Sequence, residues 1–127
     1  MKDFQTFYLC GRCGNLAAMI ADAGVPLSCC GQVMKKLIPN ENDPTRGKHS
    51  PVIEIDGDKC HIKVGADPHS MTKEHQILWI YIVTEKGGQR KYLPAGAPAE
   101  VTFALADDKV IAAYSYCNVH GLKLVMA

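Results

Sequence analysis

The sequence lacks any apolar run long enough to cross a membrane and any marked excess of charge. No apolar stretch reaches the roughly 18 residues that a spanning helix needs, and the formal net charge of the 127 residues is +1. There is therefore no overall basic field of the kind that attracts nucleic acid or an anionic membrane. The beginning of the chain, Met1 to Thr6, also lacks a basic region followed by an apolar core. These absences predict a cytoplasmic protein without a nucleic-acid or membrane partner.

Cysteine, by contrast, is plentiful and unevenly placed. Six cysteines in a secreted protein of this size would suggest three disulfides. Here four of them crowd into the first 30 residues, as Cys10-x-x-Cys13 and the adjacent pair Cys29-Cys30. In a reducing compartment, thiolates grouped in this way are more often metal ligands. We therefore predict a four-sulfur metal site, and tetrahedral sulfur suits zinc and iron alike.

The adjacent pair sets a condition on the backbone. Neighbouring side chains of a regular strand point to opposite faces, so Cys29 and Cys30 can share a metal only if the chain turns there. Gly31 makes such a turn plausible. A zinc ribbon normally has a second spaced Cys-x-x-Cys in place of the adjacent pair. The alternatives to a shared metal are a strained vicinal disulfide and two unrelated buried thiols.

A polar stretch with two prolines, Pro39 to Ser50, indicates a domain boundary. We predict a metal-binding domain over residues 1–38, a linker or long loop over 39–50, and a β-sandwich over 51–127. Short apolar stretches that alternate or lie between turn residues, without a convincing helix pattern, predict an antiparallel all-β fold. The predicted strands are Phe4–Leu9, Val52–Ile55, Cys60–Val64, Gln76–Val83, Arg90–Leu93, Glu100–Leu105, Val110–Tyr116 and Leu122–Met126.

Within this pattern, alternation assigns several side chains. Cys60 falls on the inward face of its strand and His61 on the outward face, so neither is expected to bind a metal. Trp79 lies in the most apolar strand and is predicted to anchor the core.

A second group of metal-ligand residues is spread over the rest of the chain. Cys117 and His120 are three residues apart and are followed by a glycine, and His49, His69 and His75 lie in loop-like sequence. Four imidazoles and one sulfur are too many for a closed tetrahedral zinc site, and they leave one position of an octahedron free. This set predicts a redox metal with an open coordination position.

These motifs together resemble the desulfoferrodoxin form of superoxide reductase over essentially the whole chain. The four clustered cysteines resemble the rubredoxin-like, desulforedoxin-type iron site of that family. The segments Lys48-His49-x-Pro51-Val52-Ile53-Glu54, Pro68-His69 followed by His75 and Trp79, and Tyr116-Cys117-Asn118-x-His120-Gly121 resemble its catalytic iron motifs. Several uncommon motifs in the same order make the resemblance specific.

The resemblance implies a fold, two iron sites and a reaction. The fold would be a small N-terminal desulforedoxin-like domain followed by an immunoglobulin-like antiparallel β-sandwich, in a homodimer. A mononuclear ferrous iron would be bound by four histidines in one plane and an axial cysteine, and it would reduce superoxide to hydrogen peroxide without evolving oxygen. A second iron at the four-sulfur site would be an auxiliary electron carrier, and rubredoxin-like proteins the external donors. The implied ligands of the catalytic iron are His49, His69, His75, His120 and Cys117, and those of the second iron are Cys10, Cys13, Cys29 and Cys30.

The Lys-His motif carries both an expected role and a departure from the family. Lys48 is expected to provide the local positive charge that attracts the superoxide anion. Many family members have a glutamate before this lysine that can bind the oxidised iron, whereas this chain has Gly47. Glu41 is a candidate substitute on the same loop. Loss of the glutamate is not expected to abolish reduction, because the reactive ferrous form needs an empty position.

Two other functions fit parts of the pattern. The first is a non-enzymatic electron-transfer protein of the rubredoxin type, with a closed structural metal at the histidine site. The second is a zinc-ribbon binding module joined to a β-sandwich. Against the second, the basic residues near the cysteine pairs are limited to Arg12, Lys35 and Lys36.

Overall fold

A computed structural model of the chain describes residues 4–39, 50–65 and 71–127. The described residues form twelve β-strands and no helix, as the sequence predicted. Nothing in them has the length and apolarity of a helix that could cross a membrane. The chain divides into two compact units, Met1–Ile38 and Pro39–Ala127.

The first unit consists of short antiparallel strands connected by turns. The strands β1 (Phe7–Leu9), β2 (Leu16–Ala18) and β5 (Lys35–Lys36) form one sheet in the order β2-β1-β5. A two-stranded ladder joins β3 (Ser28–Cys29) to β4 (Gln32–Val33). The first strand was predicted from Phe4 but begins at Phe7. The residues before it are bent, and the side-chain amide of Gln5 bonds to the backbone carbonyl of Met19.

The described residues of the second unit form two antiparallel sheets. One has the order β10-β7-β6, from β6 (Pro51–Asp56), β7 (Lys59–Val64) and β10 (Glu100–Ala104). The other has the order β12-β11-β8-β9, from β8 (Ile77–Thr84), β9 (Gly87–Tyr92), β11 (Val110–Cys117) and β12 (Gly121–Met126). The strands β6 and β7 pair on either side of Gly57, which lies in the hairpin turn between them.

Strand β9 starts earlier than predicted. The predicted strand begins at Arg90, but Gly87 and Gly88 already pair with Thr84 and Val83. The reversal occurs at Glu85 and Lys86. A side chain at residue 88 would collide with the hydroxyl of Tyr81, so this glycine allows an aromatic ring to lie over the strand.

A single buried cluster joins the two sheets and makes the unit a β-sandwich. It contains residues of both sheets and of the segments next to their strands: Cys60, Ile62, Val64, Ile77, Ile80, Ile82, Leu93, Ala99, Phe103, Leu105, Val110, Ala113 and Cys117. Cys60 is fully buried, as predicted, and His61 faces outward with its Nδ1 2.9 Å from the hydroxyl of Thr102. Trp79 is buried but lies outside this cluster, where its ring stacks on Tyr116 with centroids 5.5 Å apart. The predicted anchor therefore packs on the other face of β8.

Candidate metal centres

The first centre lies in the N-terminal unit, where two turns bring four thiols together. The sulfur atoms of Cys10, Cys13, Cys29 and Cys30 all lie within 4.8 Å of one another. The predicted turn at the adjacent pair is present, because Cys30 has φ 54° and Gly31 has φ 74°. This left-handed backbone lets two consecutive side chains approach the same point. All six cysteines of the chain are free thiols, so the vicinal disulfide alternative is wrong.

Backbone N–H groups and neighbouring thiols shift the pKa values of Cys10 and Cys30 in opposite directions. The N–H of Cys13 donates to the sulfur of Cys10 at 3.5 Å. Together with the N–H of Arg12, it lowers the pKa of Cys10 to about 6. The thiols of Cys13, Cys29 and Cys10 raise the pKa of Cys30 to about 12. Four thiolates this close repel one another unless a cation lies between them, so the cluster fits a tetrahedral metal ion such as iron or zinc.

The second centre lies where β11 turns into β12. Cys117 ends β11 with 1% of its surface exposed, and His120 follows it in the tight turn that leads to β12. His75 joins them, and the ligand atoms of all three residues lie within 4.8 Å of one another. The Nδ1 of His120 is 3.8 Å from the sulfur of Cys117 and 3.2 Å from the Nε2 of His75. One thiol and two imidazoles therefore converge at a half-buried point.

Two sets of hydrogen bonds hold His75 in this position. Its backbone N–H and C=O exchange hydrogen bonds of 3.1 Å with Thr72, which closes the loop just before β8. The side-chain amide of Asn118 donates to the backbone carbonyl of Glu74 at 3.2 Å. This role of Asn118 is not evident from the sequence alone, although a carboxamide within a Cys-x-x-His turn is a signal for it.

The other residues predicted for this centre lie outside the described part of the chain. Lys48 and His49 belong to residues 40–49, and His69 belongs to residues 66–70. Among the described residues, the structure thus brings together three of the five predicted ligands. A soft thiolate with imidazole nitrogens is a donor set that iron accepts readily, so the residues present fit an iron ion.

The fold and the two centres define an all-β protein with a four-thiol site on a small unit and a histidine–cysteine site on a β-sandwich. The desulfoferrodoxin family model matches residues 41–124. The chain is 37% identical to a desulfoferrodoxin homologue of Archaeoglobus fulgidus over 122 residues, which are 96% of this chain and 97% of the relative. It is also 37% identical to the desulfoferrodoxin of Nitratidesulfovibrio vulgaris over 121 residues, or 95% of each chain. This chain belongs to the desulfoferrodoxin family.

A solved structure agrees with the sequence comparisons. The crystal structure of the superoxide reductase from Treponema pallidum matches with a TM-score of 0.81 and 38% identity, over 95% of this chain and 96% of that one. The predicted all-β fold, with a small N-terminal unit that carries the four-cysteine cluster and a β-sandwich, is confirmed by this match and by the strand topology.

Proposed function

We propose that this protein is a superoxide reductase that converts superoxide, one electron and two protons into hydrogen peroxide. The observation that carries the proposal is the buried Cys117 with His75 and His120 within 4.8 Å, at the end of a β-sandwich. Family membership and the match with the Treponema pallidum superoxide reductase support it. A bound iron at this point would supply the electron and an open position for the anion.

We further propose that His49 and His69 complete the ligand set. Support comes from the described residues next to them in sequence. Ser50, which follows His49, accepts a hydrogen bond of 2.8 Å from the N–H of Gly65. Next to this bond, Pro51 of β6 pairs with Val64 of β7. Val64 belongs to the same buried cluster as Cys117. Both histidine-bearing segments therefore join the sandwich next to each other, beside residues that share the core with the thiol.

Each side chain has a separate part in the proposed reaction. Cys117 would hold the iron as a thiolate and donate electron density to it, and its burial shields the thiolate from water. Lys48 would attract the anion by local positive charge. Asn118 and Val119 are exposed in the turn beside the site, so water can reach this point and deliver protons.

The remaining elements of the proposal concern the supply of electrons and the setting. A second iron at Cys10, Cys13, Cys29 and Cys30 would be an auxiliary electron carrier, and a rubredoxin-like protein would be the external donor. We propose a homodimer in the cytoplasm, by likeness to the family. Because Gly47 replaces the glutamate found in many members, we propose that the oxidised iron either takes Glu41 as its sixth ligand or is left with solvent.

Metal analysis combined with visible spectroscopy tests the proposal against its alternatives. The reductase predicts two irons per chain, a ferrous site whose spectrum changes on addition of superoxide, and formation of one hydrogen peroxide per superoxide without oxygen. Iron at the four-sulfur site alone would instead support an electron carrier. Zinc at both sites and no colour would support a binding module, and either result would overturn the reductase.

A further inference from the structure

Lys123 is a buried lysine on β12, an edge strand of the four-stranded sheet. Only 3% of its surface is exposed, and it is the one charged residue that is buried among those the structure describes. Lysine is almost never fully buried unless its charge is compensated, because removing an ammonium group from water costs free energy. A core position of this kind is ordinarily filled by an apolar side chain, and a lysine here instead places a positive charge inside the sandwich.

The register of the strands places Lys123 beside the thiol of the second centre. Lys123 lies directly opposite Ser115, and Ser115 lies opposite Ile80 of the buried cluster. Directly opposite residues of an antiparallel pair point to the same face, so Lys123 projects from the inner face of the sandwich. Cys117, two residues beyond Ser115, projects from the same face.

Cys117 and Lys123 are diagonal neighbours on this face. The residue opposite Cys117 is Gly121, and Lys123 is two residues further along β12. Diagonal neighbours lie roughly 7–8 Å apart, with a somewhat shorter distance between their Cβ atoms, and a long side chain can span this distance. Gly121 has no side chain, and among the described residues no atom apart from its two chain neighbours lies within 4 Å of the place where its Cβ would be. The space between the thiol and the lysine is therefore not filled by a side chain of β12.

We propose that Lys123 is a positioning residue that raises the reduction potential of the iron bound at Cys117. This inference rests on the proposed function. Ferric iron with one thiolate carries a net charge of about +2 and ferrous iron about +1, so a nearby cation disfavours the oxidised state more. Whichever groups Lys123 bonds to, a neutral replacement lowers the local charge by one. The effect favours the ferrous state, the form that gives its electron to superoxide.

The size of the effect follows from Coulomb's law. Two unit charges about 10 Å apart, at an effective dielectric constant of about 20, interact strongly enough to change an equilibrium roughly tenfold. If Lys123 only filled space, its replacement by methionine would leave the reduction potential unchanged. Methionine has a similar length and shape to lysine but no charge.

Redox titration of the doubly iron-loaded protein, followed by its visible spectrum, tests this proposal. In Lys123→Met the ratio of ferrous to ferric iron at a fixed potential should fall roughly tenfold, whereas Lys123→Arg should match the wild type. Lys91→Met is the matched control, because Lys91 is an exposed lysine at the far edge of the same sheet. Should the methionine variant not fold, the neutral Lys123→Gln is expected to give the same shift.

An unchanged potential in a Lys123→Met or Lys123→Gln variant that binds both irons would overturn the proposal and leave the reductase assignment intact. A shift of equal size in Lys91→Met would also overturn it. A wild-type protein that binds no iron at the histidine–cysteine site would instead refute the proposed function itself, and the two failures are therefore distinguishable.

Discussion

Asn118 and Gln76 are joined by two reciprocal hydrogen bonds. The N–H of Gln76 donates to the side-chain oxygen of Asn118 at 3.0 Å, and the N–H of Asn118 donates to the carbonyl of Gln76 at 3.3 Å. Gln76 follows His75 in sequence, and Asn118 follows Cys117. The pair therefore fixes the distance between the segments that carry two of the proposed ligands, before any metal binds. Hydrogen bonds made by groups around the ligands, rather than by the ligands to the metal, keep the ligands oriented and strengthen metal binding.

We predict that Asn118→Ala weakens metal binding at the histidine–cysteine site by about 10–100-fold and lowers the free energy of unfolding by about 1–2 kcal/mol. The substitution removes the acceptor for the Gln76 N–H and the donor to Glu74. Cobalt(II) titration against a chelator measures the affinity. Gln76→Ala is the control, because the Gln76 side chain takes no part in either bond. Equal losses in both variants would show that Asn118 has no special role.

The sequence predicted those features of this molecule that depend on neighbouring residues, and it missed those that depend on the packed fold. The spacing of the first four cysteines and the alternation that buries Cys60 are local patterns, and the structure confirms both the cluster and the burial. The sequence does not show that β9 begins at Gly87, because Gly88 makes room for the Tyr81 ring and that contact exists only after the strands pair. Asn118 was missed for the same reason, since its partners are more than forty residues away.

The two buried thiols of the sandwich should behave differently when they are replaced. Cys117→Ser removes the proposed thiolate ligand, and we expect the visible thiolate-to-iron band to disappear and the rate with superoxide to fall by at least about 100-fold. Cys60→Ala should leave both unchanged. Burial raises the pKa of the Cys60 thiol, which favours an inert, neutral side chain. Removal of the Cys60 thiol should lower the free energy of unfolding by about 1 kcal/mol, measured by chemical denaturation.

A reductase that remained fully active in Cys117→Ser would contradict the assignment of this thiol. A Cys60→Ala variant that lost its iron would show that the buried cluster contains a ligand that we have not assigned.

Lys48→Ala is predicted to slow the bimolecular reaction with superoxide and to weaken its dependence on ionic strength. A positive charge close to the open position raises the local concentration of the anion, and we expect the rate constant to fall on the order of tenfold. Pulse radiolysis or stopped-flow mixing at several salt concentrations measures both quantities. Lys59→Ala is the control, because it removes an equal charge from an exposed position beside the β6–β7 hairpin. An unchanged rate and salt profile in Lys48→Ala would remove this residue from the mechanism.

Gly31→Ala should weaken the four-sulfur centre without touching the catalytic one. Gly31 has φ 74°, and an alanine there costs about 1–2 kcal/mol, because its Cβ crowds the carbonyl in left-handed backbone. That strain falls on the turn through which Cys29 and Cys30 reach the same point, so metal release to a chelator should be faster. Gly11→Ala is the matched control, since the φ of Gly11 is not in the left-handed region and its Cβ would meet no atom of the other described residues within 4 Å, its chain neighbours apart. Equal release rates for the two variants would show that the turn does not limit metal binding. A parallel fall in superoxide reduction would show that the sulfur centre supports the catalytic iron.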